Sequence, residues 1–461
     1  MYRLTLLPYF FVQLLQIPEF VMHDYYNAIL ERLNQLKAEG ASAQELAACS
    51  KELKLASREV YAAKKAAVAQ QADPALAHQA YPPPTDMPLD AEGFVVAFPC
   101  PTGPGVASSA DEEEARVAAR EFYVQYGFVV FSNAIDAERC AATRAEVWAS
   151  LEAATPGLQR DDVHSYARIG DVRDRAAIGG TETYGLAPQP SIFTPEVMRN
   201  RQDPRVIGAM ALLIGSEDIL VSQDRWCVYR PTRGLPGAVA DDKGDGDDVL
   251  VDRPEWKTRG NLHLDLHPWN YLAGTTDIDE LAFDGTRDFP REINMVSAAG
   301  GPHLQGVLAL LDNREQDGGT LVVPGFHSVF AEWVAALGPV EGHLPSYLAS
   351  KGGHGSSNWM VPREGGGGSY KFTDIDPVCG LARRVPLREG SFLIWDQRVV
   401  HGSQPNDSAQ CRMAQFIKGF CRAKTGEGRR QARARIIARE IEQAGTLDEL
   451  TPLGRKVFGL A

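Results

Sequence analysis

Residues 390–420 read GSFLIWDQRVVHGSQPNDSAQCRMAQFIKGF. Two runs rich in β-branched and aromatic residues flank a turn of Gly, Ser, Gln, Pro, Asn and Asp, the pattern of strand, turn and strand. The same pattern recurs upstream as ILVSQDRWCVYR from Ile219, GNLHLDLH from Gly260, LQGVLALLD from Leu304 and GTLVVPG from Gly319. No regular helical pattern separates these runs, which argues for an antiparallel sandwich or barrel rather than βαβ units. An eight-stranded jelly roll fits them. The expected fold class is mainly β with flanking helices.

N-terminal to these strands, a helix is expected over 112–126, a strand over 127–132 and a second helix over 137–153. Residues 71–112 contain YPPPTDMP and FPCPTGPG, a proline density that marks a linker or a loop draped over the surface. Residues 23–70 read as a helical hairpin. Ile29, Leu33 and Leu36 recur at helical spacing, Gly40 signals a C-cap, and Ser42 with Glu45 fits a capping box. Residues 1–22 form an apolar N-terminal segment interrupted by Pro8 and Pro18, readable as a targeting segment or as an untidy start with Met22 as initiator. The expected domains are thus 1–22, the hairpin 23–70, the linker 71–112, a main domain 113–424, and a C-terminal helix and tail 425–461. Two insertions, 233–252 (Asp- and Gly-rich) and 341–376 (with KGGHGSS and GGGGS), are expected to be lids or solvated loops.

Composition bounds the partners. The 461 residues are 44% hydrophobic and 23% charged, which is ordinary for a globular chain. With 47 Lys and Arg against 60 Asp and Glu, the net charge is −13, which disfavours a role coating nucleic acid. The seven cysteines are scattered without a C-x-x-C pair, so a reduced compartment is expected, cytoplasmic unless the N-terminal segment directs the chain to an organelle. No segment is long and apolar enough for a membrane span. P-loop, α/β-hydrolase and zincin signatures do not occur. DDKGDGDDVLVD at 241–252 imitates a calcium loop, but Lys243 occupies a ligand position and no helices flank it.

NLHLDLHPWNY, from Asn261, carries the chemistry. On a strand, residues i and i+2 share a face, so His263 and Asp265 project together and can bind one metal ion. His401 follows the FLIWD strand, and two histidines with one carboxylate are the facial triad of non-haem Fe(II) oxygenases. H-x-D alone is common, and each histidine is equally readable as an ordinary core or surface residue. Two further residues add weight. A hairpin through QPNDS is expected to return Arg412 beside the His401 strand, where its guanidinium suits a carboxylate and the Ser403 hydroxyl can donate to the same group.

These pieces resemble the phytanoyl-CoA dioxygenase family of Fe(II)/2-oxoglutarate oxygenases. The matching stretches are EFYVQYGFVVFSNAID, HLDLHPW, ALLDNREQDGGTLVVPGFHS and GSFLIWDQRVVHGSQPNDSAQCRMAQF, spread over about residues 116–422. The resemblance implies a double-stranded β-helix, a cupin-like jelly roll. It implies that His263, Asp265 and His401 ligate Fe(II), and that Arg412 and Ser403 hold the distal carboxylate of 2-oxoglutarate. It further implies O2 as oxidant, ascorbate as a supporting reductant, and hydroxylation of a small-molecule or acyl-type substrate. Related halogenases lack the carboxylate ligand, so Asp265 favours hydroxylation. His267, Trp269 and Tyr271 are readable as pocket wall or as backing for the ligands, and equally as packing residues; Thr320 and His327 are expected to shape the sheet or back the site, and Arg230 lies on an earlier strand that could face the cavity. The long His263-to-His401 spacing and Phe326, where the family more often has Ser, depart from the pattern. LNQLKAEGASAQELAACSKELKLASREVYAAKK, from Leu33, also resembles a WHEP domain.

Two other readings remain open. Through that hairpin, or the basic helix carrying Arg429, Arg430, Arg433 and Arg435, an oxygenase could act on RNA, a nucleotide or a protein, and salt-sensitive tRNA binding would identify it. A catalytically silent barrel scaffold would bind no iron. The C-terminal Gly459-Leu460-Ala461 is not a peroxisomal address.

Overall fold

The computed structural model describes residues 19–42, 44–46, 48–49, 52–53, 81–106, 109–169, 185–187, 193–222, 224–237, 250–273, 303–346, 358–362, 368–374, 376–422 and 427–461. Residues 1–18 of the expected segment 1–22, the parts of the hairpin and linker between 54 and 80, and the glycine-rich parts of both insertions lie outside these residues. The chain divides into two compact units, residues 1–76 with 374–376, and residues 77–373 with 377–461.

In the smaller unit a helix spans Glu19–Ala38 and ends before Gly40, whose φ of 69° favours glycine. Ser42 and Glu45 form the expected capping box: the Ser42 hydroxyl accepts from the Glu45 amide at 3.3 Å, and the Glu45 carboxylate accepts from the Ser42 amide at 3.0 Å. Ile29, Leu33 and Cys49 are buried together.

The larger unit is built on two sheets. The first holds β1 (Phe98–Pro99), β2 (Phe128–Ser132), β3 (Ile219–Val221), β4 (Trp226–Tyr229), β8 (His303–Ala309), β13 (Phe392–Asp396), β15 (Arg412–Phe416) and β16 (Gly419–Cys421). Its main path runs β1-β2-β13-β8-β15-β4, with β16 joining β3 to β8, and every pairing except β1 with β2 is antiparallel. The second runs β10-β11-β7-β14-β9-β12, where β7 is Asn261–Leu264, β9 Gly319–Val322, β10 Trp359–Pro362, β11 Gly368–Lys371, β12 Arg383–Arg384 and β14 His401–Gln404. A small hairpin pairs β5 (Leu235–Pro236) with β6 (Leu250–Val251).

The β13 run FLIWD is buried along its whole length. It shares a core with Val147 and Leu151 of the helix Ala137–Ala154 and with Val206, Ile207 and Met210 of the helix Pro204–Ile214. On β7, by contrast, burial alternates. Leu262 and Leu264 enter a second core with Phe326, Phe330 and Trp333 of the helix Phe326–Ala336. Period-2 geometry therefore turns His263 to the opposite face, toward the first sheet.

Two expectations are corrected. The His401 and Arg412 segments do not form a hairpin: β14 pairs with β7 and β9, whereas β15 pairs with β4 and β8 of the other sheet. The intervening turn is long enough to cross between sheets, and Asn406 holds that crossing by donating to the Arg230 carbonyl at 2.9 Å. The 341–376 insertion is not only loop, because β10 and β11 extend the second sheet outward from β7.

Candidate metal centre

His401 and His263 face one another directly in the antiparallel register of β14 and β7, with ring centroids 4.5 Å apart. Asp265 lies one residue past the end of β7 and still turns to the same side. Its Oδ1 is 3.4 Å from His263 Nε2 and its Oδ2 is 3.9 Å from His401 Nε2. One potential ligand atom from each of the three residues lies within 4.8 Å of the other two.

The local chemistry suits a cation. His401 Nδ1 lies 3.0 Å from the Val399 carbonyl, which can only accept, so the ring proton sits on Nδ1 and Nε2 presents its lone pair. Among the described residues, the buried Nδ1 of His263 has no hydrogen-bond partner. Burial, reinforced by neighbouring His263, pushes His401 down to about 3; burial and Lys371 lower His263. Both rings are therefore held neutral, the form that ligates metals. Burial alone would raise the Asp265 carboxyl, but the Lys418 ammonium beside it holds it well below the ordinary carboxylate range.

Asp265 is held by side chains that sequence reasoning missed. Ser369 on β11 donates to Oδ1 at 3.2 Å, and Gln305 on β8 donates to Oδ2 at 2.9 Å. Lys418 Nζ lies 3.3 Å from Oδ2 and 3.6 Å from Asp224 Oδ2. Gln397 donates to the Asp265 backbone carbonyl at 2.9 Å. No sequence spacing announces these residues, since each reaches Asp265 only through strand pairing or sheet packing.

A second polar site lies further along the same face. Ser403 is two residues beyond His401 on β14, about 7 Å along the strand, and pairs in register with Thr320 on β9. Arg412 reaches across from β15 and is 3% exposed. It donates to Thr320 Oγ1 at 3.5 Å and Cys227 Sγ at 3.3 Å, and stacks 4.6 Å above the Tyr229 ring. Among the described residues it pairs with no carboxylate. Arg412 and Ser403 are thus brought to one place, by facing sheets rather than by a hairpin. The Ser403 hydroxyl also donates to Asn261 Oδ1 at 3.2 Å. Arg384, a second buried arginine, comes close. A Cβ at Gly319 would lie 2.8 Å from Arg384 Nη2 and 2.9 Å from Arg412 Nε. Arg384 is spent on the carbonyls of Gly318 and Val385 and on Asn313, and burial, with Arg412 beside it, lowers it to about 9.

The remaining candidates make contacts of their own. Pro268 starts a short helix, Pro268–Ala273, that carries Trp269 and Tyr271. Trp269 donates to the Gly338 carbonyl at 2.9 Å and packs against His343 and Tyr370; Tyr271 packs edge-on to Phe330. His267 accepts from the Asn270 amide at 3.3 Å, and burial lowers it. Arg230 donates to the carbonyls of Tyr166 and Ile169 and stacks over Trp256. His327 lies 3.0 Å from the Val124 carbonyl, below the positive-φ Gly127 that ends the helix Ala110–Tyr126. These contacts hold Trp269, Tyr271, Arg230 and His327 in place, and Thr320 lies beside Arg412. On the terminal helix Glu427–Ala444, Arg433 turns inward to the carbonyls of Phe458 and Val221, Arg430 pairs with Glu427, and Arg435 is exposed.

Residues 287–414 match the family model described as Phytanoyl-CoA dioxygenase (PhyH). A Dictyostelium discoideum protein named "Putative phytanoyl-CoA dioxygenase" is 31% identical over 346 residues, 74% of this chain and 86% of that one. Among solved structures, EvdO2 from Micromonospora carbonacea var. aurantiaca complexed with 2-oxoglutarate is similar at 16% identity and a TM-score of 0.36, covering 68% of this chain and 93% of its own. The non-heme alpha ketoglutarate dependent epimerase SnoN from nogalamycin biosynthesis is similar at 14% identity and a TM-score of 0.34, covering 67% and 83%. On the strength of the 31% relationship across most of both chains, this protein belongs to the phytanoyl-CoA dioxygenase family.

Proposed function

We propose that the protein is an Fe(II)- and 2-oxoglutarate-dependent dioxygenase that hydroxylates a small-molecule or acyl-type substrate. The observation that carries this reading is the pairing of two sites on one sheet face. Two neutral histidines and a carboxylate have ligand atoms within 4.8 Å of one another, and a buried arginine without a carboxylate partner among the described residues lies further along. The two facing sheets, with the chain crossing repeatedly between them, are read as the double-stranded β-helix.

In this reading His263, Asp265 and His401 hold the iron, leaving positions open for small ligands. The iron, when bound, supplies the activation of O2. Arg412 and Ser403 bind the distal carboxylate of 2-oxoglutarate, which places its other end toward the histidines. Thr320 and the Tyr229 ring keep the Arg412 guanidinium in place. The buried walls exclude water, which strengthens the Arg412–carboxylate attraction. Overall, 2-oxoglutarate, O2 and a substrate C–H group give succinate, CO2 and the hydroxylated product.

The test is oxygen-dependent succinate release from 2-oxoglutarate with Fe(II) added anaerobically beforehand. His263→Ala and Asp265→Ala are each expected to abolish release; full turnover in either would refute the ligand assignment. A substrate screen coupled to succinate release then separates small-molecule from acyl-type substrates. Among the described residues no helix is long and apolar enough to cross a membrane.

A further inference from the structure

The two histidines are aimed by their own strand, but Asp265 is not. It follows the last paired residue of β7, and a carboxylate there is free to rotate unless something outside the strand holds it. Ser369 restrains Oδ1, and Gln305 restrains Oδ2. Lys418 also touches Oδ2, but a bound cation would repel its ammonium, and Asp224 stands ready to receive it. Gln305 is neutral and would remain.

A glutamine can present either its oxygen or its NH2 group. Only the NH2 can donate to Asp265; the oxygen would set two acceptors against each other. Trp395 decides between them. Its indole N–H, which can only donate, lies 3.1 Å from Gln305 Oε1, and both side chains are almost fully buried. The two residues are direct partners in the β13–β8 register, so the arrangement is built into the sheet. With Oε1 committed to the indole, Nε2 must face Asp265.

We propose that Gln305, oriented by Trp395, is a positioning residue that presents the Asp265 carboxylate to the metal. The inference rests on the metal-site reading above. Outer partners of metal ligands typically change metal affinity by about 10–100-fold.

The test is anaerobic titration of the full-length protein with Co(II) as probe, without 2-oxoglutarate. It compares wild type, Asp265→Ala, Gln305→Leu, Trp395→Phe and the double variant Gln305→Leu/Trp395→Phe, with thermal melts to verify folding. Gln305→Leu is expected to weaken Co(II) binding by about 10–100-fold. Trp395→Phe keeps a ring beside His401 and removes the N–H, and should weaken binding severalfold. In the double variant the indole change should add nothing to the loss from Gln305→Leu, because its route to Asp265 is already gone. Should Gln305→Leu fail to fold, Trp395→Phe alone carries the test, and wild-type affinity in that variant overturns the proposal. It is also overturned if Gln305→Leu binds Co(II) within twofold of wild type, or if the two losses multiply. If instead Asp265→Ala binds Co(II) as tightly as wild type, it is the metal-site reading that fails, and this inference with it.

Discussion

Arg412 is a buried guanidinium with no carboxylate partner among the described residues. Burying an unpaired guanidinium is costly, and here neutral groups offset the cost only in part: a hydroxyl, a thiol and an aromatic face. In the proposed function a carboxylate from solution completes the set. Arg412→Ala is therefore expected to raise the KM for 2-oxoglutarate by about 10–100-fold, the equivalent of one strong charge-assisted interaction. Co(II) affinity should stay at the wild-type value, and an unchanged KM would remove Arg412 from the co-substrate site. Gly319 tests the same pocket sterically. Its φ is 120°, and an added methyl would meet Asn313 at 2.6 Å as well as both arginines. Gly319→Ala should cost about 1–3 kcal/mol of stability and raise the same KM. Chemical denaturation with steady-state kinetics separates the two effects.

At the level of elements, the close approach of β7 and β14 brings the candidate metal ligands together. Gly402 sits between the paired histidines and Ser403, and a Cβ there would collide with the Asn261 carbonyl on β7. Gly402→Ala should push these strands apart and abolish Co(II) binding, while the first sheet, whose core is separate, keeps its near-UV dichroism. Wild-type binding in that variant would mean that the strand spacing does not set the site. The helix Glu427–Ala444 makes a different point. Its arginines read as one basic face, yet Arg433 is a buried cross-link to two backbone carbonyls and stacks on Phe420. Arg433→Ala is expected to lower unfolding stability by about 3 kcal/mol, whereas the exposed Arg435→Ala should change it by less than about 0.5 kcal/mol. Equal effects in urea melts would contradict this division.

For the larger unit as a whole, the three candidate ligands lie on β7, just after it and on β14 of the second sheet, and Gln305 of the first sheet holds Asp265, so occupancy should stabilise the fold. With free Co(II) at about 100 times its Kd, unfolding free energy should rise by about 2.7 kcal/mol. His263→Ala should erase that gain. A gain that survives the substitution would place the stabilising ion elsewhere. The two sheets also explain how widely separated stretches of sequence meet. Asp265 is held from β8, from β11 and from the turn after β13, three places scattered over about a hundred residues of chain.

The sequence by itself determined the strand runs at 127–132, from Ile219, Gly260, Leu304 and Gly319 and within 390–420, the helices expected over 112–126 and 137–153, the capping box at Ser42 and the shared face of His263 and Asp265. All of these are local: each follows from period-2 or period-3.6 patterning or from a turn within a few residues. Tertiary structure decided where Arg412 lies, because turn length alone could not tell a hairpin from a crossing between sheets. It also decided that two short stretches of the 341–376 insertion, Trp359–Pro362 and Gly368–Lys371, would be strands, since Gly368–Lys371 is poor in strand formers and is held by its pairing with β7. Gln305, Trp395, Ser369 and Lys418 belong to the same class. Their partners lie on other strands, and contacts between strands far apart in the chain leave no spacing to read in a single sequence.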